Sequence, residues 1–142
     1  MEPEDTIDYN IRKTWYNITK FYNKTANEYM GSTSLAMVLL NINIFDGTPS
    51  TQLGPNMGME STSLSRSLNK LEEIGAIKRK KDPHDKRKTV IYLTEEGLKW
   101  RDIAKDAVIN FNKEIFSNFK KEEIENFLRV LRKINKIISQ KK

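Results

Sequence analysis

The apolar positions of this chain fall into helical stripes along most of its length, interrupted once by a stretch that alternates. From residue 7 to 29, Ile7, Ile11, Trp15, Ile18, Tyr22, Thr25 and Tyr29 recur three or four apart, the spacing of one face of a long amphipathic helix. Gly31 is its stop, and Ser32 or Ser34 supplies a cap for the next helix. That second helix is expected to run to about Asp46, with Leu35, Val38, Leu39, Ile42 and Phe45 inward and Asp46-Gly47 ending it. Thr48-Pro49 reads as an N-cap with proline at the first helical position. The helix it starts, Ser50 to about Met57, is expected to be short and distorted or partly 3₁₀. The reason is Pro55, which removes a backbone donor and crowds the turn before it. Gly58 makes the turn. Ser61 to Ile74 then sets Leu64, Leu68, Leu71 and Ile74 on one face, and Gly75 is the expected C-terminal stop.

The period then changes. Ala76 to Lys81 and Thr89 to Leu93 read as strands, the second rich in β-branched and aromatic residues, with turn chemistry between them at Asp82-Pro83-His84-Asp85-Lys86. Thr94 is placed to cap a following helix, and Glu95 and Glu96 suit its positive end. Leu98, Ile103, Ala107, Phe111 and Ile115 form the next stripe, Ser117 to Lys120 breaks it, and Ile124, Phe127, Leu128, Leu131, Ile134 and Ile138 form the last. The predicted fold is mainly α, with a small two- or three-stranded antiparallel β element. The first helix and the last two are long and amphipathic, and one chain of 142 residues offers little against which to bury all three. Their natural partner is a second copy.

Composition narrows the chemistry. There is no cysteine and one histidine, so disulfides and thiol redox sensing are impossible. No metal set and no cofactor is expected, because a zinc site would have a single imidazole to draw on. A Ser-His-Asp arrangement would have to be built on His84, which lies in a charged turn. No glycine-rich phosphate loop or nucleophile motif is present, so the chain is not expected to be an enzyme. The longest apolar run, Leu35 to Leu40, is far too short to cross a bilayer, and the acidic N-terminus lacks a signal-peptide pattern. A cytoplasmic location is expected.

The net charge of +6 is unevenly spread. Residues 61 to 88 hold nine Lys or Arg against four Asp or Glu, a surplus of five of those six charges. Phosphate binding requires a basic field concentrated in this way, although a solvated lysine-rich face has the same composition. Position decides between them. The basic segment joins a hydroxyl-rich helix to a short basic hairpin, which is the layout of a winged helix-turn-helix. Each half of that layout suits one groove of DNA.

The order of elements, together with Leu53, Met57, Ser63-Leu64-Ser65-Arg66, Leu68, Lys70-Leu71-Glu72, Gly75, Ile77 and Arg79, resembles the MarR family of bacterial transcription regulators. Asp82-Pro83, Asp85, Arg87, Leu93-Thr94 and Gly97 complete the resemblance, and their spacing is its most specific part. Gly54-Pro55 and Glu60 depart from the family pattern, where a regular helix and a hydroxyl cap are more usual. The resemblance implies a homodimer with an N-terminal dimerisation helix over 1–31, a winged helix-turn-helix over 32–97 and C-terminal dimerisation helices over 98–142. It implies binding to double-stranded DNA at a pseudo-palindromic operator, repression, and in many members release by a small-molecule effector.

On this reading Ser61, Thr62, Ser63 and Ser65 face DNA at the start of the recognition helix, or serve only as caps. Arg66 suits either bidentate reading of guanine or a phosphate clamp, and Lys70, one turn on, suits the backbone. Arg87 at the wing tip suits a narrow minor groove, flanked by His84, Lys86 and Lys88 at phosphates. Asp82 and Asp85 are expected to orient Arg87 or Arg79 by a charge-assisted pair. Trp15, Tyr16, Tyr22, Tyr29 and Trp100 are candidates for an effector cleft, which the resemblance places in this general region. An aromatic stripe at helical spacing equally suits a core or a dimer interface. The alternative function is a winged-helix module for sequence-independent DNA binding or protein contact.

Overall fold

A computed structural model describes residues 1–29 and 31–141. After a 3₁₀ turn at Pro3–Asp5 the chain forms α1 (Ile7–Tyr29), α2 (Thr33–Asn41), β1 (Thr48–Pro49), α3 (Ser50–Met57) and α4 (Ser61–Glu73). It continues through β2 (Ile77–Lys81), β3 (Thr89–Leu93), α5 (Glu95–Ser117) and α6 (Lys121–Ser139). The fold is mainly helical with one small antiparallel sheet, as the periodicity predicts. The chain divides into two compact units, Met1–Lys105 and Asp106–Lys142, and α5 belongs to both.

The core of the first unit lies where α2, α3, α4 and the sheet meet. Leu39, Ile42, Leu53, Leu71, Ile91 and Val38 are fully buried there, with Leu35, Leu64, Leu68 and Ile77 around them. The apolar faces predicted for α2 and α4 are therefore the ones that pack. On α1 the stripe divides. Ile7, Ile11 and Trp15 are exposed, Ile18 and Tyr22 are half-buried, and Ala26 is buried. The side chains of Thr25 and Tyr29 lie outside the described residues. Asn23 of α1 reaches the start of α2, where its Oδ1 accepts the Thr33 N–H at 2.9 Å and the Thr33 hydroxyl at 2.6 Å. Ser32 is the N-cap, accepting the Leu35 N–H.

Three local expectations are corrected. The second helix stops at Asn41 rather than near Asp46, and Phe45 is 84% exposed rather than inward. Asn43 is the cause. Its Oδ1 accepts the N–H groups of both Phe45 and Asp46, a local turn that outcompetes another helical turn. Next, Thr48 does not cap α3. Its hydroxyl accepts the Asn43 N–H, and Thr48–Pro49 is extended and pairs with Ile91 and Val90 of β3. The sheet thereby gains a third strand, in the order β1-β3-β2, and Pro49 takes the N-cap position without a side-chain bond. Finally, α3 is α-helical throughout despite Pro55, with no 3₁₀ segment. Gly54-Pro55 instead serves the exit from the helix. The Met59 N–H donates to the Gly54 carbonyl at 2.9 Å, and a Cβ at Gly54 would press on the Met59 carbonyl.

The end of α4 is a Schellman turn. Gly75, at φ +80°, donates to Glu72, and Ala76 donates to Leu71. From there the chain enters β2 with no slack. In the second unit the stripe of α6 keeps Ile124, Leu131 and Ile134 half-buried, whereas Phe127, Leu128 and Ile138 are exposed. Among the described residues no helix is long and apolar enough to cross a membrane.

Candidate nucleic-acid interface

Helix α4 turns Leu64, Leu68 and Leu71 into the core, which fixes what faces outward. At 3.6 residues per turn the opposite stripe is Thr62, Arg66, Asn69 and Glu73, flanked by Ser63 and Lys70. Ser61, Thr62, Ser63, Ser65, Arg66 and Lys70 are all exposed. Glu60 is the N-cap residue and makes no side-chain capping bond. Lys70 lies 3.9 Å from Glu73 in an exposed pair. The site residues read from this helix are thus all open to solvent, with Thr62 and Arg66 centred opposite the leucines and the others to either side. Asn69 belongs with them and went unremarked in the sequence, although its spacing from Thr62 and Arg66 marks it.

The wing is a hairpin whose turn is built from aspartates. Asp82 Oδ1 accepts the N–H groups of His84 at 2.7 Å and Asp85 at 3.1 Å. The Asp82 N–H donates to Lys88, and the Lys88 N–H to Asp85, closing the hairpin. Asp85 then holds Arg87 three ways. Its Oδ1 accepts the Arg87 N–H at 3.0 Å and Nε–H at 3.1 Å, and its Oδ2 accepts from Nη2 at 3.3 Å. The side chain of Arg87 is 91% exposed and that of Asp85 only 29%. A carboxylate tucked under the turn therefore aims a guanidinium into solvent. Arg87, through its side-chain and then its backbone hydrogen bond, holds the Asp85 carboxyl below the usual carboxylate range, with Lys88 adding to it against a small cost of burial. His84, Lys86 and Lys88 are exposed around the same tip.

The aspartate roles need one correction. Asp85 is paired with Arg87, but Asp82 caps backbone N–H groups instead of orienting an arginine. Arg79 meets neither aspartate. Its Nη2 donates to Asn69 Oδ1 at 2.9 Å, and its Nη1 lies 3.7 Å from Glu72 Oε1, both on α4. Lys78, Lys80 and Lys81 extend the basic face along β2, with the Lys80 ammonium 5.7 Å from the Tyr92 ring centre.

The aromatic candidates are less gathered. Trp15 and Tyr16 are exposed on α1, and Tyr16 carries Lys20 over its ring at 5.4 Å. Tyr22 meets Phe21 edge to face, and burial pushes its hydroxyl pKa up. Trp100, on α5, packs against the core shared by α2, α4 and the sheet. The side chain of Tyr29 is outside the described residues. Two buried polar atoms, Thr19 Oγ1 and Arg101 Nε, have no hydrogen-bond partner among the described residues.

A core-packed helix with a polar outer face, a Schellman turn and a three-stranded wing define a winged helix-turn-helix protein. Residues 32–89 match the sequence profile of the MarR family. The chain is 27% identical to the HTH-type transcriptional regulator SarZ of Staphylococcus saprophyticus over 140 residues, spanning 89% of this chain and 93% of that one. It is 28% identical to the uncharacterised HTH-type regulator YdgJ of Bacillus subtilis over 94 residues, 66% of this chain. That match spans only 57% of YdgJ. The fold is shared with Staphylococcus aureus MepR, solved in complex with DNA, at a TM-score of 0.84, 20% identity and coverage of 92% and 97%. It is also shared with CouR of Rhodococcus jostii, solved with p-coumaroyl-CoA, at 0.82, 23% identity and coverage of 94% and 94%.

Proposed function

We propose that the protein is a sequence-specific DNA-binding repressor. On this reading it acts as a homodimer on a pseudo-palindromic operator in the bacterial cytoplasm. Residues 32–97 bind DNA, and 1–31 with 98–142 hold the dimer. The observation that carries the reading is the exposed Arg87, held by a bidentate carboxylate at the tip of a wing that follows an exposed, hydroxyl-rich helix. An arginine fixed in this way enters a narrow minor groove with little ordering left to do. Ser61, Thr62, Ser63, Ser65, Arg66 and Lys70 take the adjacent major groove, with His84, Lys86 and Lys88 at phosphates.

Dimerisation is supported by the apolar side chains left exposed on α1 and α6, Ile7, Ile11, Trp15, Phe127, Leu128 and Ile138. Two-fold symmetry would set the recognition helices about one helical turn of DNA apart, ~34 Å. Release by a small-molecule effector is proposed from the family resemblance and from CouR.

The test is affinity for a duplex selected by the protein from a randomised library, against a scrambled duplex, over a salt series. A preference of roughly 10³ or more is expected of an operator binder. Equal and steeply salt-dependent affinity for both duplexes would establish sequence-independent binding instead.

A further inference from the structure

We propose that Arg79 is a positioning residue that ties the wing to the recognition helix, so that the two groove contacts are made as one. The proposal rests on the DNA-binding reading above and adds to it a device that sets their relative placement.

The sheet order is β1-β3-β2. One edge strand, β1, leads directly into α3 and so is anchored to the body of the lobe. The other edge, β2, has only its first residue buried, Ile77, while Lys78, Arg79, Lys80 and Lys81 are exposed. Beyond the Schellman turn at Gly75, side-chain packing holds this edge only at its base, and the rest of the strand is held through its ladder to β3. Arg79 adds the direct tie to α4. From the middle of β2 its guanidinium spans to two residues of α4, Asn69 and Glu72, which lie on adjacent turns of that helix. The planar fork makes this a directional clamp, which a point charge could not reproduce.

The bridge is poorly suited to a purely stabilising role. The side chains of Arg79 and Glu72 are 32% and 46% exposed, and exposed pairs add little to folding. Its value is geometric. Over five residues of β2 at ~3.3 Å each, a tilt of about 10° at the base moves the far end by roughly 3 Å. A shift of that size takes Arg87 out of hydrogen-bond register while Arg66 stays in place. The clamp also occupies the Oδ1 of Asn69, a residue of the same outer stripe as Thr62 and Arg66.

The experiment is a mutant cycle read on the duplex selected by the wild-type protein. Arg79→Gln and Arg79→Lys are each made alone and with Arg87→Ala, and melting is followed to confirm folding. Alone, either Arg79 substitution should weaken binding about tenfold, in the range measured for coupled neighbouring groups. In the Arg87→Ala background the same substitutions should cost much less, about two- to threefold, because the minor-groove contact is gone and only the less exacting phosphate contacts of the wing remain to be misplaced. Equal losses in both backgrounds would overturn the proposal and make Arg79 a direct phosphate contact. Full retention of affinity by Arg79→Lys would overturn it too, since a lone charge would then suffice. If the wild-type protein selects no duplex, the sequence-specific reading fails, and this proposal with it.

Discussion

Asp85 serves two partners with one carboxylate. It closes the wing turn through the backbone of Arg87 and aims the same residue's guanidinium outward. Asp85→Asn should keep one neutral acceptor but lose the charged fork. DNA affinity should then fall toward that of Arg87→Ala, while the urea midpoint changes little, because the Arg87 side of the pair stands in solvent. Unchanged affinity would mean that Arg87 needs no holder. The pH dependence follows from the lowered carboxyl pKa. A depressed carboxylate contributes above its unfolded value of ~3.9 and is lost only as pH falls through the lower folded value. Between about pH 5 and 8, then, Asp85 stays ionised and the clamp is constant. The ratio of dissociation constants for wild type and Arg87→Ala should be flat across that window, and a ratio that drifts would place another titrating group in control of Arg87.

At the scale of elements, the joint between α4, the sheet and α5 leaves no room for a side chain at Gly97. The Thr94 hydroxyl donates to the Gly75 carbonyl at 2.6 Å and accepts the Gly97 N–H at 3.1 Å. Gly97 lies so close to Ala76 that a Cβ there would overlap the Ala76 carbonyl, which is backbone and cannot swing aside. Gly97→Ala should destabilise the lobe by about 1–3 kcal/mol or more, the cost of overpacking, measurable as a lowered urea midpoint. This gives a physical cause for the Leu93-Thr94…Gly97 pattern that carried the family resemblance. Helix α4 and the wing were legible because their determinants are local: a leucine stripe, a Gly stop, aspartate turn chemistry and β-branched alternation. The end of α2 and strand β1 were not. Asn43 looks like a tolerable helix residue until its side chain is seen taking two N–H groups, and Thr48 looks like a cap until β3 arrives from far along the chain. Within the site, Arg66 and Arg87 could be read from spacing. The partners of Arg79 could not, because they depend on how β2 folds back beside α4.

For the whole molecule, α6 leaves large apolar side chains in solvent. Phe127 is 56% exposed and Ile138 is 60% exposed. Phe127→Glu should shift the protein toward monomer in sedimentation and lower operator affinity sharply, since each half-site would then bind alone. A variant that stays dimeric and binds normally would move the dimer contact elsewhere. The Thr94 joint has a further consequence at this scale. Helix α5 starts against the end of α4, so opening its first turn breaks the hydrogen bonds that Thr94 makes on both sides at once. The Thr94 and Gly97 amides, which donate to the Ala76 carbonyl and to the Thr94 hydroxyl, should therefore exchange with solvent as one cooperative unit.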